Sequence, residues 1–292
     1  MGLTAPTTLQ YILLGQNGFG CQRRDTVNVT INDAPVSNAG LDLNFCSGAS
    51  GTLGTGATTG YTYSWSPATG LSSSTSSNPT VTLTNSTSSP VTQTYVVTTT
   101  LGTCTTSDTV QVTIRPNPAA NAGPNQLLCS GSTVQIGTNS TSGYTYSWSP
   151  ATGLNNTTIS NPTVTLTNSG TTTSTATYVV TSTLNGCTAT DTVVVTSAPQ
   201  PTADAGPDGS ICSGQSISIG TTGTTGYTYT WTPSTGLSNA NTAVTNATGT
   251  NSGSNPINNT YIVNVNAFGC TDADTVVVQV RPSPVSNAGT NQ

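Results

Sequence analysis

The chain has 292 residues and a formal net charge of −5, from four Arg, nine Asp and no Lys, Glu or His. Without His, Lys or Glu the usual general bases and lysine nucleophiles are missing, so we expect no enzyme. Four Arg are too few for the clustered positive charge of a nucleic-acid-binding surface. No apolar run approaches the roughly 18 residues that a membrane span needs.

The sequence repeats itself at one constant step, which is the interval from Trp65 to Trp148 and again from Trp148 to Trp231. Several other residues recur at this step, among them Cys21, Cys104, Cys187 and Cys270; Cys46, Cys129 and Cys212; Asp25, Asp108, Asp191 and Asp274; and Gly40, Gly123, Gly206 and Gly289. A fixed period without net insertions indicates one structural unit copied in tandem. We assign the C-terminal part of an upstream repeat, three full repeats and the start of a further repeat to 1–35, 36–118, 119–201, 202–284 and 285–292.

Within each repeat, apolar and polar residues alternate with the period of two that is typical of β-strands. In the second repeat the predicted strands lie at 127–129, 132–137, 144–149, 162–167, 176–184 and 190–196. The last two form a predicted hairpin around the turn dipeptide Asn185-Gly186. About seven short strands with a turn every 10 residues or so predict an all-β, Ig-like sandwich. Short, stiff, Pro-containing linkers are predicted at 115–123, 197–206 and 281–289.

The tryptophans have two interpretations. In an Ig-like sandwich a Trp on the third strand belongs to the core, and we favour this role for Trp65, Trp148 and Trp231. Alternatively, each Trp and its neighbouring tyrosines, such as Tyr61 and Tyr63, form an exposed platform on which a sugar could stack. The tyrosines that precede a Cys by nine residues are expected to anchor strands through a hydroxyl-to-backbone bond; they are Tyr95, Tyr178 and Tyr261.

Seven cysteines at regular spacing predict disulfides and an oxidising compartment. We favour a separation of 58, which pairs Cys46–Cys104, Cys129–Cys187 and Cys212–Cys270. A separation of 25 would pair Cys21–Cys46, Cys104–Cys129 and Cys187–Cys212. That path crosses a strand, a linker and a new strand, so it carries the sulfurs too far apart unless it doubles back. In a standard Ig layout, however, the favoured cysteines lie at opposite ends of the sandwich. A further alternative therefore joins successive repeats through Cys46–Cys187.

The sequence NAGPNQLLCSGSTVQIG, followed by YTYSWSPATGL and TATYVVTSTLNGCTATDTVVVT, resembles the PKD-like, Ig-like repeats of giant cell-surface adhesins of the Bacteroidetes. Gliding-motility adhesins of the SprB type contain such repeats. The resemblance covers essentially the whole chain and implies type IX secretion and attachment to the outer membrane. The chain departs from better-known PKD domains where WSPAT and WTPST replace their WDFGD motif.

The resemblance also implies a modification site, because Bacteroidetes O-glycosylate threonine after aspartate. An Asp-Thr-Val tripeptide occurs once per repeat, which makes the candidate acceptors Thr26, Thr109, Thr192 and Thr275. The alternative is that the aspartate caps the start of a strand. No cofactor is expected. Calcium is a candidate ligand at Asp204 and Asp208, since it prefers oxygen donors, but other repeats have Asn at several equivalent positions.

We therefore expect a structural segment of a long extracellular adhesin. Its partners would be neighbouring repeats of the same chain, and a surface or polysaccharide bound through regions outside this segment. Two alternatives remain: repeats that themselves bind carbohydrate, and a homo-oligomeric extracellular filament or surface layer joined through edge strands. No nucleic acid and no membrane span is expected.

Overall fold

The computed structural model describes residues 7–284, and all the regular secondary structure in that range is β-strand. The described chain opens with a hairpin of β1 (Thr7–Gln16) and β2 (Gln22–Ile31), paired antiparallel. Three copies of a six-stranded unit follow. Residues 285–292, where the start of a further repeat is predicted, lie outside the described residues.

The three units have closely matching strands. The first contains β3 (Leu43–Cys46), β4 (Ser50–Thr52), β5 (Thr62–Ser66), β6 (Thr80–Thr82), β7 (Val91–Leu101) and β8 (Cys104–Arg115). The second contains β9 (Gln126–Cys129), β10 (Thr133–Gln135), β11 (Thr145–Ser149), β12 (Thr163–Thr165), β13 (Ser174–Leu184) and β14 (Cys187–Ala198). The third contains β15 (Gly209–Cys212), β16 (Ser216–Ile219), β17 (Thr228–Thr232), β18 (Thr245–Thr248), β19 (Ile257–Ala267) and β20 (Cys270–Arg281).

Each unit builds one four-stranded and one two-stranded sheet. The larger sheets have the orders β3-β8-β7-β5, β9-β14-β13-β11 and β15-β20-β19-β17, and the smaller ones are β4-β6, β10-β12 and β16-β18. The first strand of each unit pairs parallel with the last, whereas the long hairpin pairs antiparallel. In the first unit this parallel register sets Cys46 opposite Arg115, at the C-terminal end of β8.

A separate hydrophobic core fills each unit. Alternate residues of the long hairpin face inward, so Tyr95, Val97 and Val112 are buried while the residues between them are more exposed. This follows from the two-residue period of a strand, which sends every second side chain to the same face of the sheet. The indole of Trp65 packs in the same core.

Glycine is required just after β4, where the chain passes close to this indole. Gly54 has a φ of +70°, and a Cβ there would lie 2.1 Å from the Ser77 carbonyl oxygen and 3.0 Å from Trp65 Cζ2. Gly137 and Gly220 are equally confined in the other units. The glycine therefore lets the chain pass close over the indole.

The prediction of an all-β tandem array of Ig-like sandwiches joined by short Pro-containing linkers is confirmed. Each unit has six strands rather than about seven, because the segment after the Trp strand makes only an isolated bridge, Leu71 to Val81 in the first unit. When residues are grouped by spatial proximity, the chain divides into two compact regions, which differ from the three six-stranded units. One is Met1–Pro118 with Thr183–Thr188, and the other is Ala119–Ser182 with Ala189–Gln292. Within residues 7–284, no helix long and apolar enough to cross a membrane occurs.

Candidate functional site

The structure contains two disulfides, and both join one repeat to the next. Cys46 bonds Cys187, and Cys129 bonds Cys270, each across 141 residues of sequence with the Cα atoms 5.6 Å apart. Cys21, Cys104 and Cys212 are free thiols. The candidate functional site is therefore the junction that these disulfides fasten.

The favoured pairs Cys46–Cys104, Cys129–Cys187 and Cys212–Cys270 are wrong. In the first repeat Cys46 lies opposite Arg115, whereas Cys104 begins the same 12-residue strand. At about 3.3 Å per residue, the two cysteines lie roughly 36 Å apart along β8, far beyond disulfide reach. The pairing observed is the further alternative, Cys46–Cys187. It joins the last residue of the first strand in one repeat to the cysteine that follows the hairpin turn in the next.

The first junction holds one hairpin turn at two points. Asn185 and Gly186 connect β13 to β14, both with positive φ, as a type I′ hairpin turn requires. Directly after this turn, Cys187 bonds Cys46. The Arg115 guanidinium, beside Cys46 in the sheet, donates to the Asn185 carbonyl oxygen. A covalent bond and a cationic hydrogen bond thus fix the turn and the residue that follows it.

The second junction uses the same disulfide with different neighbours. Cys129 lies opposite Ala198, so no guanidinium stands beside the sulfur. A Cβ on Gly269 of the turn would lie 4.0 Å from Leu127 Cδ2, so an apolar side chain takes the place next to the turn. Gln200 in the linker donates to the Thr271 carbonyl oxygen at 3.1 Å. The disulfide is therefore the common element, and its surroundings vary.

An aspartate in each repeat fastens the incoming linker to the last strand. The Asp108 carboxylate accepts from the Ala39 and Thr109 amides, each at 2.8 Å. Asp191 and Asp274 accept from Ala122 and Ala205 in the same way. These backbone donors, with the Thr192 and Thr275 amides, lower the pKa of the Asp191 and Asp274 carboxyls, since hydrogen bonds to the ionised form favour it.

The two aspartates considered for calcium accept hydrogen bonds from backbone amides. Asp204 accepts from the Gly206 amide at 2.9 Å, and Asp208 from the Val277 amide at 2.8 Å. The equivalent bonds in the first two repeats are accepted by Asn38, Asp42, Asn121 and Asn125. An amide oxygen can accept these bonds as well as a carboxylate can, which explains why Asn and Asp interchange here. Across residues 7–284, no group of three or more His, Cys, Asp or Glu is placed to hold a metal ion.

The tryptophans lie in the cores, with 3%, 3% and 2% of their surface exposed for Trp65, Trp148 and Trp231. Each indole nitrogen donates to a backbone carbonyl oxygen, at 2.8 Å from Trp65 to Ser76. The indole faces are therefore covered by protein and offer no stacking surface to a sugar. The neighbouring Tyr63 hydroxyl accepts from the Thr58 amide at 2.9 Å, within the same repeat.

The core tyrosines make the expected hydroxyl-to-backbone bonds. Tyr95 donates to the Thr69 carbonyl oxygen at 2.6 Å and Tyr178 to Thr152 at 2.8 Å. Tyr261 donates to Thr235 at 3.3 Å. Burial raises the pKa of the Tyr95 and Tyr178 hydroxyls. Each tyrosine thus ties its long hairpin to the loop that follows the Trp strand.

The four threonines of the Asp-Thr-Val tripeptides are all exposed: Thr26, Thr109, Thr192 and Thr275. In the full repeats the valine that follows is buried, because the strand alternates between faces. In the full repeats each of these threonines is exposed to solvent, whereas the preceding aspartate accepts a hydrogen bond from a backbone amide of the linker.

The contact between Arg115 and the two-residue turn of the next repeat was not predicted from the sequence. The signal lay in two features of the sequence: each hairpin cysteine follows its turn directly, and Arg115 ends the same strand that Cys104 begins. Only the parallel pairing of β3 with β8 shows that Arg115 stands beside Cys46.

Solved structures with similar folds are tandem arrays of immunoglobulin domains. The I-band fragment I67–I69 from titin is 11% identical with a TM-score of 0.40, over 86% of this chain and all of that one. The N-terminal eight Ig domains of Down Syndrome Cell Adhesion Molecule are 10% identical with a TM-score of 0.49, over 97% of this chain and 40% of that one. Extracellular domains 3–5 of Drosophila OTK are 9% identical with a TM-score of 0.37, over 86% and 97%.

These similarities are too low to carry an argument about function. No protein-family model matches the sequence, and no curated protein matches it. The chain is a tandem array of disulfide-bonded, Ig-like repeats, an organisation that resembles extracellular proteins.

Proposed function

We propose that this chain is a structural stalk segment of a long secreted adhesin on a bacterial cell surface, of the giant kind found in gliding Bacteroidetes. The observation that carries the proposal is the disulfide between successive copies of the repeat. Such a bond can be made again with every copy added. It therefore suits a protein whose repeats 36–118, 119–201 and 202–284 provide length and connection.

The chemistry of the repeats supports a passive role. The tryptophans are buried and their nitrogens are satisfied by backbone carbonyls. The carboxylates at the linkers accept hydrogen bonds from backbone amides. Disulfides persist in oxidising compartments, in agreement with export from the cell. Adhesion to a surface or polysaccharide would then belong to other regions of the polypeptide.

The first test is the size of the native polypeptide, measured on a denaturing gel together with the flanking sequence. Thousands of residues of further repeats, ending in a sorting domain for type IX secretion, are the expected result. A short protein with a few repeats beside a catalytic domain would overturn the proposal, since the repeats would then be accessory modules of an enzyme.

A deletion in register provides a sharper test in the native host. Removing residues 119–201 leaves Cys46 and Cys270 separated by the same 141 residues that separate each natural pair, so the bond can form again. We expect cells to attach as strongly as before. A control that removes residues 119–181 disrupts this spacing and should lower the amount of protein on the surface. Loss of attachment by the in-register deletion, at normal surface amounts, would show that the repeats themselves bind.

We further propose that Thr26, Thr109, Thr192 and Thr275 carry O-linked glycans. Their exposure supports this, as does their place directly after an aspartate in each repeat. Peptides from protein purified from its native host should carry a sugar mass on these threonines and lose it in the corresponding Thr→Val variants. Unmodified peptides at all four positions would contradict the assignment and leave the aspartates with their linker role alone.

A further inference from the structure

The C-terminal end of β20 repeats the arrangement that grips a hairpin turn at the first junction. Cys212 lies opposite Arg281 in a parallel strand pair, as Cys46 lies opposite Arg115. The following serine is held in the same way: the Ser213 amide donates to the Arg281 carbonyl oxygen at 2.8 Å, as Ser47 does to Arg115. This end of the third repeat is therefore built like a junction.

The groups that would hold a turn are unoccupied at this end. Cys212 is a free, exposed thiol, whereas Cys46 and Cys129 are bonded and half-buried. The Arg281 guanidinium is exposed, and its Nε donates to the neighbouring Gln279 side chain at 3.4 Å. In the first junction the equivalent guanidinium donates to the Asn185 carbonyl oxygen instead.

We propose that Cys212 and Arg281 form a docking site for the β-hairpin turn of a further repeat of this kind, following in the same polypeptide. The turn would have two residues and be followed directly by cysteine, as in Asn185-Gly186-Cys187 and Phe268-Gly269-Cys270. Its cysteine bonds Cys212, and Arg281 donates to the carbonyl oxygen of the first turn residue. Both junctions in the structure join consecutive repeats of one chain, which is why we choose this occupant.

Cys104 is the complementary half of the same kind of junction. It follows the two-residue turn Gly102-Thr103, in the place that Cys187 and Cys270 occupy in their repeats. It is free and half-buried, whereas Cys187 and Cys270 are buried in disulfides. The first repeat thus presents a turn, and the third repeat presents a site that receives one.

The bond forms by oxidation of two thiols. A disulfide oxidant such as oxidised glutathione accepts two electrons and is reduced to two thiols, while both cysteines lose their protons and one Sγ–Sγ bond forms. The junction does not depend on what the array does, so the proposal holds or fails independently of the adhesin assignment.

The test extends the full chain by one repeat in register. A copy of residues 127–201 is added after Gln292, which places the copied Cys187 141 residues beyond Cys212, the natural separation. Two exposed positions of the copy are changed, Ser132→Thr and Thr188→Ser, so that its cysteine peptides differ in mass from those of the original repeat. After refolding in a glutathione buffer, peptides are mapped by mass spectrometry without reduction. We expect a peptide that links Cys212 to the copied Cys187, with the copied Cys129 and Cys104 free. Cys212→Ser should leave the copied Cys187 free.

Resistance of the added segment to chymotrypsin shows that the added repeat has folded. If that repeat does not fold, an extension with residues 210–284, marked by Thr271→Ser, supplies the turn Phe268-Gly269-Cys270 for the same measurement. A folded extension in which Cys212 stays free, or bonds any other cysteine, would overturn the proposal. Intermolecular Cys104–Cys212 dimers would identify a second copy of the chain as the occupant instead.

Arg281→Ala tests the second contact of the docking site. The second junction forms its disulfide beside Ala198, so the bond should still form in this variant. The equilibrium constant of its disulfide against glutathione should fall about threefold, in the range of one net hydrogen bond. Arg23→Ala, on the N-terminal hairpin, is the matched control and should leave that constant unchanged. An unchanged equilibrium constant in Arg281→Ala would mean that Arg281 does not contribute to the docking site.

Discussion

The N-terminal hairpin β1–β2 and the hairpin β7–β8 occupy equivalent places in successive repeats, yet their inward faces differ completely in burial. Ile12 is 56% exposed, whereas Tyr95 at the equivalent position is fully buried. Val27 is 58% exposed, whereas Val110 is 1% exposed. Alternation in a strand therefore decides which side chains share a face, but the opposite sheet decides whether that face is buried.

The largest loss of stability is expected at Tyr95, the buried counterpart of the exposed Ile12. Tyr95→Ala removes a ring from the core and a bond to Thr69, and should destabilise the first repeat by about 3–5 kcal/mol. In the 292-residue chain, Ile12→Ala, at the equivalent exposed position, should change stability by no more than about 0.5 kcal/mol. Hydrogen-exchange mass spectrometry resolves the repeats separately and measures both values. Equal losses in the two variants would mean that the hairpin has a core of its own.

The cysteines that follow the hairpin turns allow the same comparison between repeats, because Cys187 is in a disulfide whereas Cys104 and Cys21 are free. Cys187→Ser removes a disulfide and should destabilise the β13–β14 hairpin by about 2–4 kcal/mol. Cys104→Ser and Cys21→Ser alter free thiols at equivalent turns and should have little effect. The readout is amide exchange in each hairpin under oxidising conditions. If Cys187→Ser behaves like the two controls, the cross-link does not stabilise the hairpin.

A smaller effect is expected at two glycines of the first repeat that have a positive φ. Gly48→Ala, with a φ of +84° and open space around it, should cost only the backbone strain of about 1–2 kcal/mol. Gly54→Ala has a similar φ but meets the Ser77 carbonyl oxygen, so its loss should exceed that of Gly48→Ala. Hydrogen-exchange mass spectrometry of β7 and β8, which reports the stability of the first repeat, compares the two variants. A greater loss from Gly48→Ala would contradict the close contact.

The smallest expected effect is a loss of folding stability at low pH. Backbone amides lower the folded-state pKa of Asp191 and Asp274 below the usual value of 3.8, so both carboxylates stabilise the repeats fully above that pH. This contribution is lost as the pH falls below 3.8 and through the lowered pKa. Urea midpoints between pH 6 and pH 2 should fall, and the doubly substituted Asp191→Asn, Asp274→Asn chain should fall less. An equal fall in the doubly substituted chain would contradict the contribution of these two carboxylates.

Much of the fold follows from local pattern, whereas the junction does not. The strand around Trp148 and the hairpin at Asn185-Gly186 are evident from alternation and turn chemistry, because both are local properties of the chain. The disulfides depend on the parallel pairing of β3 with β8, which places Cys46 at the end of the strand remote from Cys104. Alternation does not determine the direction in which two distant strands pair. The regular cysteine spacing therefore revealed the sites but not their partners.

The connectivity of the two disulfides alters how the chain would bear a pulling force. Between Cys46 and Cys270 the backbone passes through most of three repeats, but a shorter covalent route exists. It crosses from Cys46 to Cys187, follows the backbone back to Cys129, and crosses to Cys270, so only the segment 129–187 lies along it. At about 3.5 Å per extended residue, complete unfolding would lengthen this route to about 200 Å, against about 800 Å after reduction. The repeats are thus braced against overextension by a covalent path that partly runs backwards along the chain.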